Sequence, residues 1–352
     1  MIRILIHIFL VFFVFSIIFY LFAFRNRNSS YIDKRERSIF FQEGSFIHPE
    51  WPKKGLIDVI KMRFSGAWSS WPDKIESELF PRPKDYAKGG EVFLTHIGHA
   101  SFLIQIDGVN ILTDPIYSDR CSPVSFAGPK RVRQPGIRFK DLPPIHMVLI
   151  SHDHYDHLDY STLESLVKRD NPLIYIGLGV ARHLPQEARF KEMDWWESHF
   201  FLDNFKIHFT PTKHFSGRTL FDRFSTLWGA FVINTREYKI YFGGDSAYGI
   251  HYSEVFKRFG SMDLSLLPIG AYSPRDFMKY AHMNPEEAVK AHLDLDSRLS
   301  IGMHYGTFQL TAEPIGEPIE KLEEELISKN LSSKRFRVLK FGKVLKLKKG
   351  TE

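Results

Sequence analysis

The sequence contains one cysteine, Cys121, in 352 residues. An intramolecular disulfide is therefore excluded, and so is a zinc site built from cysteine thiolates. Internal repeats are also lacking, and the only long hydrophobic run lies at the N-terminus. Hydrophobic residues make up 43% and charged residues 25% of the chain, which is typical of a folded globular protein. A formal net charge of +6, spread along the chain, is too diffuse to predict nucleic-acid binding.

The hydrophobic run spans residues 4–24, with Arg25 and Arg27 directly after it. A membrane-spanning helix needs about 20 such residues, whereas the apolar core of a cleaved signal peptide has about 7–15. The run therefore predicts an uncleaved membrane anchor over residues 1–27, rather than a cleaved signal or a buried core helix. Positive charge is heavier after the run, which favours a single-span protein with a cytoplasmic catalytic domain.

The rest of the chain divides at about residue 90. Residues 28–90 are polar, aromatic and interrupted by prolines, and are predicted to connect and wrap around the domain that follows. Residues 91–348 show short apolar runs mixed with helix signals, which predicts an α/β layered catalytic domain. The predicted strands are residues 91–95, 101–106, 109–112, 146–150, 173–176, 205–210, 228–234, 239–242, 264–268, 300–303 and 337–339.

Three local patterns give the predicted turns and helix starts. Asp107-Gly108 is a hairpin turn signal between two strands. Ser161 and Glu164 have the spacing of a capping box and predict a helix that starts there. Residues 284–287 read Asn-Pro-Glu-Glu, with proline and acidic residues in the first turn of a second helix.

Residues 151–159 contain three histidines and three aspartates directly after a predicted strand. Imidazole and carboxylate are good ligands for zinc and similar divalent ions. Because His152 and His154 are two residues apart, a locally extended chain points both side chains the same way. Asp156 and His157 follow at a tighter turn, where they can face a second ion. The segment therefore predicts a metal centre rather than a chance polar loop.

This H-x-H-x-D-H pattern resembles the signature of the metallo-β-lactamase superfamily. The resemblance implies an αββα four-layer sandwich with two zinc ions at one edge of the sheets; the hydrophobic run adds a transmembrane helix before it. It also implies a further histidine, aspartate and final histidine, for which His214, Asp245 and His304 have the required context. The implied ligands are His152, His154 and His214 for one ion, Asp156, His157 and His304 for the other, and Asp245 as the bridge.

Further blocks occur in a fixed order at residues 112–117, 128–131, 194–197, 269–272 and 277–288. Together they resemble the N-acylphosphatidylethanolamine-hydrolysing phospholipase D family over roughly residues 40–345. The resemblance implies a zinc phosphodiesterase that releases N-acylethanolamine and leaves phosphatidic acid. It also implies a phospholipid substrate, a membrane partner and a homodimer. The chain departs from animal members in its N-terminal run and at Ala281, where they have a larger polar residue.

The implied chemistry is attack on phosphorus by a hydroxide shared between the two ions. Asp156 and Asp245 are predicted to hold the ions and orient the nucleophile. His282 is predicted to bind the phosphate or protonate the leaving alkoxide, with an ordinary core or surface histidine as the alternative. Tyr155 is predicted either to donate a hydrogen bond to the phosphate or only to pack the loop. Asp114 is predicted to support a ligand histidine, unless it merely forms a turn.

Other features are assigned no part in catalysis. His96 and His99 fit no ligand position in the pattern. The pairs Trp195-Trp196 and Phe200-Phe201 are predicted to pack inside the protein rather than face lipid. The competing functions are hydrolysis of a lactone, a cyclic nucleotide or another phosphodiester, and a binding protein without activity. The presence of all seven ligand candidates favours an enzyme.

Overall fold

The computed structural model of the protein describes residues 31–47, 68–78, 80–87, 90–219 and 221–349. Within these residues, sixteen strands form a small hairpin and two seven-stranded sheets. The hairpin pairs β1 (Phe41–Gln42) with β2 (Ser45–Phe46). The described parts of the segment 28–90 lie against the sandwich: the Trp71 indole, for example, donates a hydrogen bond to the Glu313 carbonyl at 2.8 Å.

Sheet A is the N-terminal sheet, completed by the last strand of the chain. Its strands are β3 (Glu91–Gly98), β4 (Ser101–Ile106), β5 (Val109–Thr113), β6 (Met147–Leu149), β7 (Leu173–Gly177), β8 (Arg189–Met193) and β16 (Val344–Lys348). They lie in the order β16-β3-β4-β5-β6-β7-β8, antiparallel from β16 to β5 and parallel from β5 to β8. The predicted hairpin turn is confirmed, with Asp107 at φ +49° and Gly108 at φ +78°.

Sheet B contains the remaining seven strands and has the same division. Its strands are β9 (Ser198–Leu202), β10 (Phe205–Thr210), β11 (Ala230–Thr235), β12 (Lys239–Phe242), β13 (Leu264–Pro268), β14 (Ser300–Met303) and β15 (Phe336–Arg337). They are antiparallel from β9 to β12 and parallel from β12 to β15. The carboxyl ends of β10, β12 and β14 therefore lie at the same edge of the sheet.

Helices cover the outer face of each sheet. The α-helices are α1 (Tyr160–Asp170), α2 (His251–Phe259), α3 (Arg275–Met278), α4 (Pro285–Asp294) and α5 (Glu317–Ser328). Three 3-10 turns lie at Arg35–Arg37, Phe139–Asp141 and Val180–His183. Buried side chains of both sheets form one core between them; α1 packs on sheet A, and α2, α4 and α5 pack on sheet B. The predicted αββα sandwich is therefore confirmed for the described chain.

The two predicted helix starts differ in outcome. Before α4, the Asn284 side chain accepts a hydrogen bond from the Glu287 N–H at 3.0 Å, and the predicted capping box is present. Before α1 the predicted helix is confirmed, but the predicted capping box is wrong, because the helix begins at Tyr160 and Ser161 is already inside it. The preceding Asp159 directs its carboxylate to the Thr162 hydroxyl at 2.5 Å instead.

The aromatic pairs also differ in outcome. The Trp195 indole donates a hydrogen bond to the Trp228 carbonyl at 2.6 Å and packs against Phe40. Phe200, by contrast, is 59% exposed, so the prediction of interior packing is wrong for this residue. Phe200 lies on β9, an edge strand of sheet B, where alternate side chains point away from the core.

The predicted membrane localisation is contradicted by the structure. No helix in the described part of the chain is both long enough and apolar enough to cross a bilayer. The expected anchor, residues 1–27, lies outside the described residues.

Candidate metal centre

The segment that begins at Ser151 follows the carboxyl end of β6, and hydrogen bonds to neighbouring parts of the chain fix its backbone. The Ser151 N–H donates to Asp114 Oδ1 at 2.8 Å, and the Gly229 N–H donates to the Ser151 carbonyl at 3.0 Å. Asp153 is buried and accepts hydrogen bonds from the Gly217 N–H and the Thr226 hydroxyl, both at 2.8 Å. These contacts fix the backbone from which the neighbouring histidines project.

Three of the predicted ligand histidines form what we call the first ligand group: His152, His154 and His214. His152 Nε2 lies 2.8 Å from His154 Nδ1, and His214 Nε2 lies 3.4 Å from the same atom. His214 reaches this position from the carboxyl end of β10. All three nitrogens lie within 4.8 Å of one another, a spacing that suits one metal ion.

The second ligand group consists of Asp156, His157 and His304. His304 Nε2 lies 3.2 Å from both Asp156 Oδ2 and His157 Nε2. His157 Nε2 is also 3.2 Å from Asp156 Oδ2. The three ligand atoms therefore form a nearly equilateral triangle.

Asp245 lies between the two groups. Its Oδ2 is 3.1 Å from His304 Nε2, 3.2 Å from His157 Nε2 and 3.8 Å from His214 Nε2. Asp245 follows β12 after Gly244, which has a φ of +55°. A Cβ at Gly244 would lie 2.5 Å from the Ser151 Cβ, so glycine lets this turn approach the segment that carries the histidines.

The donor set fits divalent metal ions. In a tetrahedral zinc site with bonds of about 2.0–2.1 Å, ligand atoms are about 3.3 Å apart. The separations of 3.1 to 3.2 Å around His304 Nε2 agree with this value. In addition, Asp245 Oδ1 and His282 Nδ1 are buried and have no hydrogen-bond partner in the described chain. Buried polar atoms without partners are costly, and a bound ion and its ligands relieve that cost.

The electrostatics of the first group keep its imidazoles neutral. Burial lowers the pKa of both His154 and His214 to about 3. At neutral pH each therefore carries one free lone pair, the form in which imidazole binds a metal.

The second group instead attracts positive charge. Burial alone would lower the pKa of His304, but Asp245 and Asp156 outweigh it and raise that pKa to about 9. Burial opposes ionisation of the two aspartates, but nearby histidines hold their pKa values well below the ordinary range. The cluster therefore favours a cation, whether bound protons or a metal ion.

For two of the histidines, outer contacts determine which nitrogen faces the cluster. Asp114 Oδ2 accepts a hydrogen bond from His157 Nδ1 at 2.6 Å, which leaves Nε2 for the cluster. The Ala281 carbonyl plays the same part for His214 Nδ1, at 2.8 Å. Such contacts orient metal-binding histidines in many proteins. Asp114 thus has the contact predicted for it.

Of the side chains predicted to be catalytic, His282 lies beside a metal ligand, whereas Tyr155 adjoins the ligands in sequence. His282 is 8% exposed, and its Nδ1 lies 3.8 Å from Asp245 Oδ2. The Tyr155 hydroxyl is buried and has no hydrogen-bond partner in the described residues, and the Arg218 guanidinium lies 3.8 Å from the centre of its ring. Tyr155 lines a cleft of about 680 Å³ together with Arg120, Arg218 and the exposed Phe126. The cleft also contains the carboxylates Asp119, Asp159 and Glu164, so its lining carries both signs of charge.

One histidine in the cluster was not predicted from the sequence. His99 Nε2 lies 2.9 Å from Asp156 Oδ2, and its side chain is 2% exposed. The available signal was its position at a turn between two predicted strands. His96 lies outside the cluster, as predicted, and stacks on Phe102 with ring centroids 4.2 Å apart.

The two packed sheets and the histidine–aspartate cluster at their edge are typical of the metallo-β-lactamase fold. A model of the "Beta-lactamase superfamily domain" matches residues 109–305, more than half of the 352-residue chain. The chain therefore belongs to the β-lactamase superfamily, and the resemblance inferred from the sequence is confirmed.

Individual relatives agree with this assignment. Over 254 residues the chain is 37% identical to N-acyl-phosphatidylethanolamine-hydrolyzing phospholipase D 1 of Caenorhabditis elegans, covering 68% of this chain and 71% of that protein. It is 43% identical over 233 residues, or 64% of this chain, to an uncharacterized protein of Mycobacterium tuberculosis, of which it spans only 61%. Among solved structures, the metallo hydrolase Igni18 of Ignicoccus hospitalis matches with a TM-score of 0.56 and 21% identity, covering 73% of this chain and 99% of that one. This last likeness shows the fold alone.

Proposed function

We propose that this chain is a zinc-dependent phosphodiesterase that hydrolyses N-acylphosphatidylethanolamine-type phospholipids to N-acylethanolamine and phosphatidic acid. The observation that carries the proposal is the position of Asp245 Oδ2, which lies 3.1 to 3.8 Å from ligand nitrogens of both groups. One carboxylate oxygen so placed is suited to join two ions. The relation to the Caenorhabditis elegans phospholipase D supports the lipid substrate.

In this proposal the first ligand group would hold one zinc ion and the second group the other, with Asp245 available as a ligand to both. A bound pair of zinc ions supplies positive charge for a phosphodiester anion and lowers the pKa of water that it binds. Asp114 and the Ala281 carbonyl keep the ligand nitrogens aimed inward through their contacts with His157 and His214.

His282 is assigned to phosphate binding. Its buried Nδ1 lacks a partner and lies 3.8 Å from Asp245 Oδ2, next to where the substrate phosphate must sit. Because burial lowers the pKa of His282 to about 3, the imidazole is neutral in the free enzyme. A neutral imidazole donates a hydrogen bond readily but is a poor source of a proton, so phosphate binding is favoured over protonation of the leaving group.

Substrate specificity is assigned to the cleft beside Tyr155. Its volume of about 680 Å³ is within the range of small-molecule sites. Arg120 and Arg218 supply guanidinium groups beside the carboxylates of Asp119, Asp159 and Glu164, and Phe126, 67% exposed, supplies apolar surface. A phospholipid combines a negative headgroup with apolar chains, and the cleft offers partners for both. Tyr155, with its free hydroxyl, is assigned to hydrogen-bond the headgroup.

The test is hydrolysis of N-acylphosphatidylethanolamine in detergent micelles by protein of known metal content. The wild type is expected to release N-acylethanolamine, and His154→Ala is expected to release none. His208→Ala is a matched control, since His208 lies on β10 outside both ligand groups. Wild-type protein that binds two metal ions yet releases no product would refute the lipid assignment and leave the hydrolase class intact.

A further inference from the structure

His99 lies at the turn between β3 and β4, where its backbone is tied to the loop that carries a ligand histidine. Its φ of +55° is in the left-handed region, which is uncommon for residues other than glycine. The conformation is held by the His99 N–H, which donates to Thr307 Oγ1 at 3.0 Å. The His99 carbonyl accepts hydrogen bonds from the His304 N–H and from His96 Nε2, both at 3.0 Å. The turn therefore fixes the backbone of His304.

The side chain of His99 reaches a second ligand. Its Nε2 lies 2.9 Å from Asp156 Oδ2, whereas its Nδ1 is buried without a hydrogen-bond partner in the described structure. A buried N–H without an acceptor is destabilising. The single proton of the neutral ring therefore belongs on Nε2, where Asp156 accepts it.

The ligand atoms of His99, Asp156, His157 and His304 all lie within 4.8 Å of one another. The geometry nevertheless favours a hydrogen bond to Asp156 over a place for His99 in the coordination shell. His304 Nε2 lies 3.1 to 3.2 Å from Asp245, Asp156 and His157, as an atom at one corner of a tetrahedron does. Within the cluster, His99 Nε2 makes one hydrogen bond, and its partner is Asp156. Moreover, a ring nitrogen that carries a proton has no lone pair for a metal ion.

We propose that His99 is a positioning residue for the second metal ion. Its side chain orients Asp156 and its carbonyl orients His304, so one residue sets two ligands of the same ion. The inference rests on the proposed metal centre. Because the hydrogen bonds of His99 reach two ligands of the second group and none of the first, its loss is expected to weaken one ion selectively.

The experiment is a zinc titration of metal-free, full-length protein against a chromophoric chelator. For His99→Ala we expect wild-type affinity for the first ion and about 10- to 100-fold weaker affinity for the second, the usual effect of losing an outer contact. His99→Gln keeps an N–H donor near Asp156 and should retain most of the affinity. His99→Asn is too short to reach Asp156 and should behave like alanine. His292→Gln is the matched control, because His292 is equally buried but bonds Ser300 instead.

The possible outcomes distinguish the proposed role of His99 from the proposed metal centre. Wild-type affinity for both ions in His99→Ala and His99→Asn would overturn the role of His99 but not the metal centre. Equal weakening of both ions, with a lowered melting temperature, would show a general structural role and also overturn it. If the alanine variant does not fold, the comparison of glutamine with asparagine gives the same decision. Wild-type protein that binds fewer than two ions would refute the proposed centre itself.

Discussion

Replacing Asp114 with asparagine changes one buried oxygen to an amide nitrogen with almost no change in shape. Asp114 Oδ2 accepts hydrogen bonds from His157 Nδ1 and from the Ser151 hydroxyl, both at 2.6 Å. An amide NH₂ in the place of Oδ2 would face the His157 Nδ1–H, so two hydrogen-bond donors would meet without an acceptor. His157 would then carry its proton on Nε2, the nitrogen that lies 3.2 Å from Asp245 Oδ2. The substitution thus removes the free lone pair on His157 Nε2 that a metal ion needs.

The size of the effect follows from the bonds lost. A hydrogen bond to a charged group contributes about 1.5–3 kcal/mol, and loss of a ligand's outer partner lowers metal affinity about 10- to 100-fold. Asp114→Asn is therefore expected to weaken the second ion by that factor. The first ion should change less, because His157 is not among its ligands.

Metal competition with a chelator measures both affinities. Asp263→Asn is a suitable control, since Asp263 accepts a hydrogen bond from the Lys239 N–H at 2.9 Å and bonds none of the ligands. Unchanged affinity for both ions in Asp114→Asn would refute the argument that Asp114 selects the metal-binding nitrogen of His157.

Three further predictions test other parts of the structure. A Cβ at Gly270 would lie 2.2 Å from the His304 carbonyl oxygen, so Gly270→Ala should lower the zinc content found by elemental analysis; two ions per chain would contradict this. Buried Glu313 accepts a hydrogen bond from the Ala271 N–H at 2.6 Å, and Glu313→Gln should lower the free energy of urea unfolding by about 2 kcal/mol, whereas a change near zero would show that the bond contributes nothing. Burial lowers the pKa of His292 from 6.5 to about 4, so its stability contribution is present above pH 6.5 and is lost as pH falls towards 4, by up to about 3 kcal/mol. His292→Gln should therefore flatten the decline of unfolding free energy in acid, and an equally steep decline would count against this origin.

Some features were predictable because they depend on neighbours in sequence. Side chains in the metal segment alternate in direction as predicted. Asp153, between His152 and His154, points away from the cluster and accepts hydrogen bonds from Gly217 and Thr226. The hairpin turn at Asp107 and the capping box at Asn284 are equally local. In each case the spacing along the chain already determines which groups meet.

Other predictions failed because distant parts of the chain compete for the same groups. At Ser161 the capping pattern is present, but Asp159, held by the Ser118 hydroxyl at 2.8 Å, precedes the helix. The edge strands β8 and β9 were not predicted, since both begin with alternating exposed and half-buried side chains, which give a weak strand signal. Partners across a sheet define such strands more than their own residues do.

By itself, the sequence determined the class of site: one dense segment of histidines and aspartates, and three later ligand candidates at predicted strand ends. Only the tertiary structure decided which atoms meet. The three ligand-bearing strands of sheet B end at a common edge, where Asp245 Oδ2 comes within 3.8 Å of both ligand groups. In sheet A, β3 runs in the same direction as β6, so the turn after β3 brings His99 to the metal segment. Strand direction, which arises from long-range pairing, therefore placed His99 at the centre although its own sequence neighbourhood gave it no role.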